Sequence, residues 1–520
     1  MRQNLQRLPV GIQNFESLRR DGYLYVDKTG YIYDLIDRGR YYFLSRPRRF
    51  GKSLLLSTIC AFFEGKRELF DGLAIAQKDV EWAAHPVLYL DLNTDRYIDV
   101  EVLEKRLDET LTVWEEQYAT IRKDLSLGMR FEKVIEGAYR QTGRRVVILV
   151  DEYDKPMLQA IGNKELQSSF RNVLKGFYGA LKSMDGCIKF AFLTGVTKFG
   201  KVSVFSDLNN LDDISMDQSY CNICGITEHE LQDNLHDYVC ELAQTNSMEV
   251  GECYERLRRM YDGYHFRQQT EGVYNPFSVL NALRKQEFDS YWFETGTPSY
   301  LVELLQRHDY NLESMSQAEV TADVLNSIDA ESKDPIPVIY QSGYLTIKGY
   351  DSRFKQYTLG FPNEEVETGF IQYLLPYYLS KTKDRTAFDV KKFASDVETG
   401  NPEQFCRRLK SLFADTPYEL VKDLENHYQN IVWVVFKMLG FYTQAEYHTS
   451  EGRIDLLIAT SDYRYVMEFK LDGSAEEALQ QIKDKHYAIP FAMDDKQTYL
   501  IGMNFDNQTR NIEKYLIAKL

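Results

Sequence analysis

The feature that most constrains the fold is a run of five aliphatic residues, Val146 to Val150, that ends on Asp151 and Glu152. An apolar run of this length without polar alternation is typical of a strand that is buried on both faces. Such a strand needs a covering layer on each side, so the sequence predicts a parallel sheet between helices. The two acids then lie at the carboxyl end of a buried strand.

Strands and helices alternate along the chain around this run. Strand-like segments are expected at Tyr41–Ser45, Pro86–Asp91 and Lys189–Gly195, with helical patterns at 52–65 and 100–141. This alternation predicts parallel pairing within one sheet. Because 520 residues are too many for one core, we expect an α/β multidomain protein.

A basic loop, Arg46-Pro47-Arg48-Arg49-Phe50-Gly51-Lys52-Ser53, lies between the first of these strands and its helix. A phosphate-binding loop needs inward backbone N–H groups, a lysine that neutralises phosphate charge and a hydroxyl for Mg²⁺. Gly51, Lys52 and Ser53 supply these, although Arg46 stands where such loops usually have glycine. The loop therefore predicts binding of ATP with Mg²⁺. The candidate binding residues are Arg48, Arg49, Phe50, Gly51, Lys52, Ser53 and Leu54.

Three further residues complete this predicted site. Asp151 is expected to hold Mg²⁺ through water, and Glu152 to orient or deprotonate the attacking water. Thr194, at the end of the next strand, is placed to sense the γ-phosphate. Arg48 and Arg49 either contact phosphates or form a solvated basic edge, and no arginine finger can be assigned.

A second group of candidate residues lies near the carboxyl end, in a predicted hairpin over 453–471. If Asp455 faces Glu468, an antiparallel register follows, in which the numbers of paired residues keep a constant sum. The turn is then Ser461-Asp462, or Thr460–Tyr463 in a longer form. The same register places three apolar pairs on one face: Ile454 with Phe469, Leu456 with Met467 and Ile458 with Tyr465.

Like charges directly opposite each other destabilise a sheet, and a divalent cation between them would reverse the effect. Asp455 and Glu468 are therefore predicted to hold Mg²⁺ or Mn²⁺. Lys470, on the same face, could stabilise the attacking hydroxide or the phosphorane charge. Glu425, on a preceding helical pattern, and Gln481, on the following one, could complete the site. The pattern indicates a metal-dependent nuclease centre; the alternative is a chance D-x(n)-E-x-K in an exposed hairpin.

Several motifs resemble those of the predicted AAA-ATPase-like proteins of prokaryotes, which often carry a C-terminal PD-(D/E)XK nuclease-like domain. Besides the basic loop, they are Asp27-Lys28-Thr29, Asp151-Glu152-Tyr153-Asp154-Lys155-Pro156 and Leu193-Thr194-Gly195-Val196. Within that family the missing first glycine is usual. The resemblance covers nearly the whole chain and implies an AAA-type P-loop core with a helical lid from Cys224 onward.

The resemblance and the element pattern together predict three regions. They are an AAA-type P-loop ATPase domain at 1–215, a helical lid with a small winged-helix-like linking region at 216–380, and a PD-(D/E)XK restriction-endonuclease-like α/β domain at 381–520. Short strands are expected at Val338–Tyr340 and Gly343–Ile347 in the second region, and a final strand near Thr498–Gly502 in the third.

Composition limits the partners and the compartment. The formal net charge of −16 and the pI of about 5.2 argue against a surface coated for nonspecific DNA binding, but allow a local basic groove. Seven scattered cysteines are typical of the reducing cytoplasm, and the lone Cys221-x-x-Cys224 pair favours buried thiols over zinc. Without a signal-peptide core or a run of ~18 apolar residues, no membrane segment is expected.

The leading hypothesis is an ATP-dependent nuclease that acts on DNA, because both candidate sites occur in one chain. Two alternatives stay open. One is a nucleotide-driven switch whose C-terminal domain binds nucleic acid or protein without cutting. The other is a signalling ATPase that oligomerises; a homo-oligomer would suit an AAA-type protein, although the sequence identifies no finger that would require one.

Overall fold

The computed structural model describes two compact units. Met1–Gly296 and Ala318–Val366 form the first unit, and Thr297–Gln317 and Glu367–Leu520 form the second. Within the described ranges, no helix is long and apolar enough to cross a membrane. The described residues are 5–198, 210–292, 315, 318–326, 334–379, 392–414, 442–449, 452–471, 473–491, 495–506 and 511–520.

A five-stranded parallel sheet forms the centre of the first unit. Its strand order is β2-β3-β4-β1-β5, and every residue of β3 is buried, as the aliphatic run predicted. The α/β class predicted for this part of the chain is therefore confirmed. The strands are β1 (Tyr41–Ser45), β2 (Val87–Asp91), β3 (Val146–Asp151), β4 (Ile188–Gly195) and β5 (Asp212–Asp213).

Helices connect these strands. Side chains cap several of them: Asp99 accepts from the N–H of Val102 at the start of α4, and Asn163 from that of Leu166 at the start of α7. Such caps satisfy N–H groups that the helix itself leaves free. The helices are α1 (Phe15–Arg20), α2 (Thr29–Arg38), α3 (Lys52–Phe63), α4 (Val100–Gln117), α5 (Leu127–Thr142), α6 (Lys155–Gln159), α7 (Lys164–Tyr178) and α8 (Ala180–Ser183).

The first unit continues with further helices and a small antiparallel sheet. Residues of the helices at 228–245, 250–261 and 276–285 share an apolar core that also takes in Leu24 of the N-terminal segment. The sheet has the order β6-β8-β7. These elements are α9 (Glu228–Thr245), α10 (Val250–Tyr261), α11 (Pro276–Lys285), β6 (Glu319–Thr321), α12 (Ala322–Asn326), α13 (Ile336–Gln341), β7 (Thr346–Asp351), β8 (Gln356–Gly360) and α14 (Glu364–Leu379), the last of which runs on into the second unit.

The strand predicted at Val338–Tyr340 is wrong, because these residues lie in α13. Pro335 and Pro337 stand at the start of that helix, where a missing N–H costs nothing, whereas a strand ladder would lose bonds there. The next strand also begins later than predicted, at Thr346. Gly343 adopts a φ of +91° in the preceding turn, a conformation that favours glycine.

Glu365 gives the first unit a testable pH dependence. Its side chain is 1% exposed, its Oε1 accepts from the N–H of Trp292 at 2.7 Å, and burial raises its pKa from 4.5 to about 7. The folded state therefore binds this proton more tightly than the unfolded state. The free energy of unfolding should fall by up to about 3 kcal/mol between pH 4.5 and 7 on this account alone.

Glu365→Gln removes the titrating group but keeps the acceptor oxygen. We expect the variant to gain stability relative to the wild type as the pH rises from 5 to 8, as measured by denaturant unfolding of both proteins at each pH. A stability difference that stays constant over this interval would contradict the assignment.

The second unit contains a mixed five-stranded sheet in the order β13-β12-β11-β10-β9. The pairing of β11 with β12 is parallel and the other three pairings are antiparallel. The predicted final strand is not the last, since β13 follows it, and β9 was not predicted at all. The elements are α15 (Pro402–Ala414), β9 (Tyr442–Thr449), β10 (Gly452–Ala459), β11 (Tyr463–Leu471), α16 (Ala475–Asp484), β12 (Gln497–Asp506) and β13 (Asn511–Lys519).

The predicted register of the hairpin is confirmed where the ladder is described. Leu456 pairs with Met467 and Ile458 with Tyr465, and all four side chains are buried. The N–H of Thr460 bonds to the carbonyl oxygen of Tyr463 at 2.8 Å, so the shorter turn, Ser461-Asp462, is present. In this register the next pair outward is Asp455 with Glu468.

Each face of this sheet is covered. On the face of Tyr465, its hydroxyl donates to the carbonyl oxygen of Val397 at 2.7 Å, and Phe413 of α15 meets Phe505 edge to face. On the other face, Val466 joins an apolar cluster with Ile482 of α16. Helices therefore cover both sides of this mixed sheet. The candidate residues of β11 lie on the face that α16 covers.

Candidate functional site

The basic loop joins β1 to α3 in the arrangement that a phosphate site requires. Gly51 has a φ of +90° and Arg49 a φ of +67°, so the backbone turns sharply just before the helix. Because α3 begins at Lys52, its first N–H groups lack partners within the helix and face the loop. A helix N-terminus of this kind attracts anions through its N–H groups and its dipole.

Lys52 is almost fully buried inside this loop. Its Nζ donates to the carbonyl oxygens of Arg46 at 3.1 Å and Pro47 at 3.2 Å. It also lies 3.1 Å from Oε1 of Glu152. The structure therefore brings the predicted phosphate-binding lysine and the predicted base into direct contact, although 100 positions separate them in the chain.

Asp151 lies beside this pair at the end of β3. The hydroxyl of Thr194 donates to its Oδ1 at 2.7 Å, and the Ser53 hydroxyl also bonds to its carboxyl group. Burial, and next the charge of Glu152, raise the pKa of Asp151. A buried carboxylate and a hydroxyl are hard oxygen ligands, and a cation beside them would relieve the burial cost. Ser53 and Asp151 thus fit the predicted Mg²⁺ role.

Arg46, which replaces the expected glycine, turns its side chain away from the loop and is buried. Its guanidinium donates to the carbonyl oxygens of Ser215 and Tyr220, at 2.8 and 3.0 Å, and lies 3.9 Å from the ring centre of Phe266. The bulky residue therefore anchors the start of the loop in the chain segment that follows β5. Phe50, near the other end of the loop, is also anchored by a later part of the chain, because the centre of its ring lies 4.7 Å from that of Tyr264.

The predicted phosphate contacts of Arg48 and Arg49 stay predictions. The guanidinium of Arg49 lies over the ring of Phe277 in α11, 4.7 Å from its centre. The carbonyl oxygen of Arg48 accepts from the indole N–H of Trp292 at 3.1 Å. Both contacts tie the loop to the helical part of the first unit.

An apolar cavity that sequence reasoning missed lies against the other side of Gly51. Lys28 stands at its wall, with Nζ bonded to Glu230 at 2.6 Å and to the carbonyl oxygen of Asn222 at 2.8 Å. The sequence signal for this cavity was the motif Asp27-Lys28-Thr29, which contributes Lys28 to the cavity wall. The motif is one of the four on which the family resemblance rests. Apolar side chains from three segments line the cavity, including Leu24, Val26, Leu54, Leu55, Ile223 and Ile226.

Three predicted residues meet at the second site. Lys470 Nζ lies 3.2 Å from Oε1 of Glu468 and 2.6 Å from Oε1 of Gln481, and Gln481 Nε2 donates to the same oxygen of Glu468. Glu468 is buried. Gln481 Nε2 also lies 3.4 Å from the hydroxyl oxygen of Tyr487. The arrangement presents a buried carboxylate, an ammonium and an amide within one hydrogen-bonded group.

The metal ligands predicted here are only partly visible. Asp455 belongs to β10, but its side chain lies outside the described residues, and so does Glu425 altogether. Among the side chains that are described, no group of three or more His, Cys, Asp and Glu is arranged to hold a metal ion. The metal role of Asp455, Glu468 and Glu425 stays a prediction.

Gly502 explains how Gln481 reaches the strand. It pairs with Glu468 across the parallel ladder. A Cβ atom at position 502 would lie 2.4 Å from the backbone nitrogen of Leu479 and 2.5 Å from the carbonyl oxygen of Ala475. Only glycine lets the backbone of α16 lie this close to the sheet. The close approach sets the distance between Gln481 and β11.

We expect Gly502→Ala to destabilise the second unit by about 1–3 kcal/mol, because the helix must move away from the sheet. Thermal unfolding measures the effect. Gly186→Ala is the control, since a Cβ atom there meets nothing within 4 Å and its melting temperature should stay near that of the wild type. A Gly502→Ala protein as stable as the control would contradict the packing argument.

Two family models of known proteins match this chain. A family model described as Predicted AAA-ATPase matches residues 9–205, and one described as PD-(D/E)XK nuclease superfamily matches residues 423–515. The chain is also 35% identical over 528 residues to a protein of Azotobacter chroococcum mcd 1, "Uncharacterized protein in vnfD 5'region", with 99% of each chain covered. Each candidate site lies inside one of the two matched regions.

Proposed function

Because this chain belongs to the predicted AAA-ATPase family and carries a C-terminal domain of the PD-(D/E)XK nuclease superfamily, we propose that it hydrolyses ATP and thereby controls metal-dependent cleavage of DNA. The observation that carries the proposal is the contact of Lys52 with Glu152 at 3.1 Å inside the loop between β1 and α3. It joins a phosphate-binding lysine to a carboxylate that can activate water.

In the proposed hydrolysis, the oxygen of a water molecule attacks the γ-phosphorus while the bond to the bridging oxygen of ADP breaks. Glu152 accepts a proton from that water, and Lys52 neutralises phosphate charge. Ser53 and Asp151 would hold Mg²⁺, which supplies neutralisation of the phosphate oxygens when bound. Thr194 would respond to the γ-phosphate, and its hydrogen bond to Asp151 supports this role.

The apolar cavity beside Gly51 supports ATP as the nucleotide. It adjoins the loop that would hold the phosphates, and its walls are mainly apolar, with Lys28 and Tyr25 among the side chains that carry a polar group. Apolar walls of this kind suit the flat faces of a purine base, with a few polar groups for orientation. We expect the base to enter between the N-terminal segment and residues 223–226.

In the proposed cleavage, water or hydroxide attacks a DNA phosphorus and the bond to one ester oxygen breaks. Lys470 would stabilise the attacking hydroxide or the charge on the phosphorane, and Gln481 fixes the positions of Lys470 and Glu468. Glu468, with Asp455 and Glu425, would hold Mg²⁺ or Mn²⁺, which supplies charge neutralisation when bound. The membership of the nuclease superfamily supports DNA as the substrate class.

The test uses purified protein with plasmid or single-stranded DNA, with Mg²⁺ or Mn²⁺, and with or without ATP. Cleavage that ATP changes is the expected result. Retention of DNA on a gel without cleavage would instead support the switch whose C-terminal domain only binds. ATP-dependent assembly into a homo-oligomer without any effect on DNA would support a signalling ATPase.

The state of the cysteines supports a reducing compartment, and we place the protein in the cytoplasm. All seven cysteines are free thiols. Cys221 and Cys224 are buried, and burial raises the pKa of both thiols. Neutral buried thiols of this kind behave as small apolar side chains.

A further inference from the structure

Asp154 has no role in the hydrolysis described above, yet it is fully buried three residues after Asp151. Its Oδ2 accepts from the backbone N–H of Thr197 at 2.6 Å, from the hydroxyl of Thr197 at 2.6 Å and from the N–H of Val196 at 3.1 Å. Among the described residues no Lys or Arg forms an ion pair with it. A buried carboxylate is costly unless hydrogen bonds satisfy it, and here all of them come from the segment after β4.

The last two residues of β4 lie directly before it, and one of them, Thr194, is bonded to Asp151. The N–H of Tyr153 donates to the carbonyl oxygen of Thr194 at 3.0 Å, and the hydroxyl of Tyr153 donates to the backbone carbonyl oxygen of Thr197 at 3.0 Å. Hydrogen bonds thus join the segment Asp151–Asp154 to the segment 194–197 at the first and the last residue of each. We call this set of contacts the clasp.

Gly195 shows how closely the two segments approach. A Cβ atom at this position would lie 2.6 Å from Oδ1 of Asp154 and 2.8 Å from the ring of Tyr153. Distances below 3.0 Å do not occur for real Cβ contacts, so only glycine is compatible with the clasp. The approach therefore depends on a glycine in one strand and a buried acid in the turn after the other.

Glu152 lies between Asp151 and Tyr153, which are both hydrogen-bonded to the segment 194–197. Its φ is +53°, a left-handed conformation that is strained for a residue other than glycine. Such strain persists only where the surrounding structure holds it. The contacts of Asp151, Tyr153 and Asp154 on both sides of Glu152 provide that support, and the resulting backbone directs its carboxylate to Lys52.

The geometry points to Asp154 as a positioning residue for ATP hydrolysis: through the clasp it holds Glu152 and Thr194 in place around the attacking water. This inference rests on the proposed hydrolysis. The described hydrogen bonds of the Asp154 carboxylate go to Val196 and Thr197, and not to Lys52 or the phosphate loop. Its loss should therefore slow the chemical step and leave nucleotide binding intact.

Asp154→Asn tests this, because the amide keeps the size but turns one acceptor oxygen into a donor that faces other donors. We expect kcat for ATP hydrolysis to fall about 10- to 100-fold. The Kd for a fluorescent ATP analogue should stay within about twofold of the wild type. Thr197→Val and Tyr153→Phe each remove one hydroxyl from the clasp and should lower kcat less. They keep the test open if Asp154→Asn does not fold.

Asp99→Ala is the matched control. It removes a carboxylate that caps α4 through the N–H of Val102 at 2.9 Å. The lost cap should lower stability but leave kcat unchanged. Wild-type kcat in all three clasp variants would overturn the inference alone, as would an equal loss of binding and turnover. A wild-type protein that binds ATP but does not hydrolyse it would overturn the proposed hydrolysis and this inference with it.

Discussion

Lys470→Ala should reduce metal-dependent DNA cleavage about 100- to 1,000-fold while ATP hydrolysis stays at the wild-type rate. Lys470 Nζ lies 3.2 Å from Glu468 and 2.6 Å from Gln481, so it is the positive group beside the carboxylate that would hold the metal ion. Its removal withdraws the charge that balances the attacking hydroxide or the phosphorane. A plasmid-nicking assay with Mn²⁺ measures the loss, and phosphate release measures the hydrolysis of ATP.

Lys514→Ala is the control for this prediction. Lys514 lies in the same sheet and pairs with Glu476, but both side chains are more than half exposed. Exposed ion pairs of this kind contribute little to stability, so the control should cleave as the wild type does. If Lys470→Ala cleaves DNA as fast as Lys514→Ala, the assigned centre is wrong.

Short-range patterns were sufficient to predict the elements that carry both sites. The run Val146–Val150 predicted a strand buried on both faces, and β3 is buried throughout. Alternation of apolar residues, combined with a two-residue turn, predicted the register of β10 with β11. Because side chains in a strand alternate between faces, that register also placed Glu468 and Lys470 on one side.

Contacts between distant parts of the chain could not be predicted in this way. Arg46 is anchored by carbonyl groups about 170 positions away, and nothing near Arg46 in the sequence indicates them. The clasp depends on Asp154 meeting Val196 and Thr197, and the close approach at Gly502 depends on α16. In each case the partner is known only once the sheet order is known, since that order decides which segments are neighbours.

Lys52→Ala should weaken ATP binding about 100-fold or more and abolish hydrolysis. The ammonium group is buried in the loop, where a charge interacts more strongly with phosphate than it would in water. Isothermal titration with ATP and Mg²⁺ measures the affinity. Lys66→Ala is the control, because Lys66 pairs with Glu16 and Glu64 in partly exposed contacts. This variant should bind ATP as the wild type does.

Loss of binding in Lys52→Ala could also follow from damage to the fold, because the variant leaves Glu152 without its partner at 3.1 Å. The double variant with Glu152→Gln separates the two explanations, since it removes the stranded charge. We expect the double variant to regain thermal stability but not ATP affinity, and Glu152→Gln alone to bind ATP without turning it over. If the double variant binds ATP as tightly as the wild type, Lys52 acts only by balancing Glu152 and the phosphate must lie elsewhere.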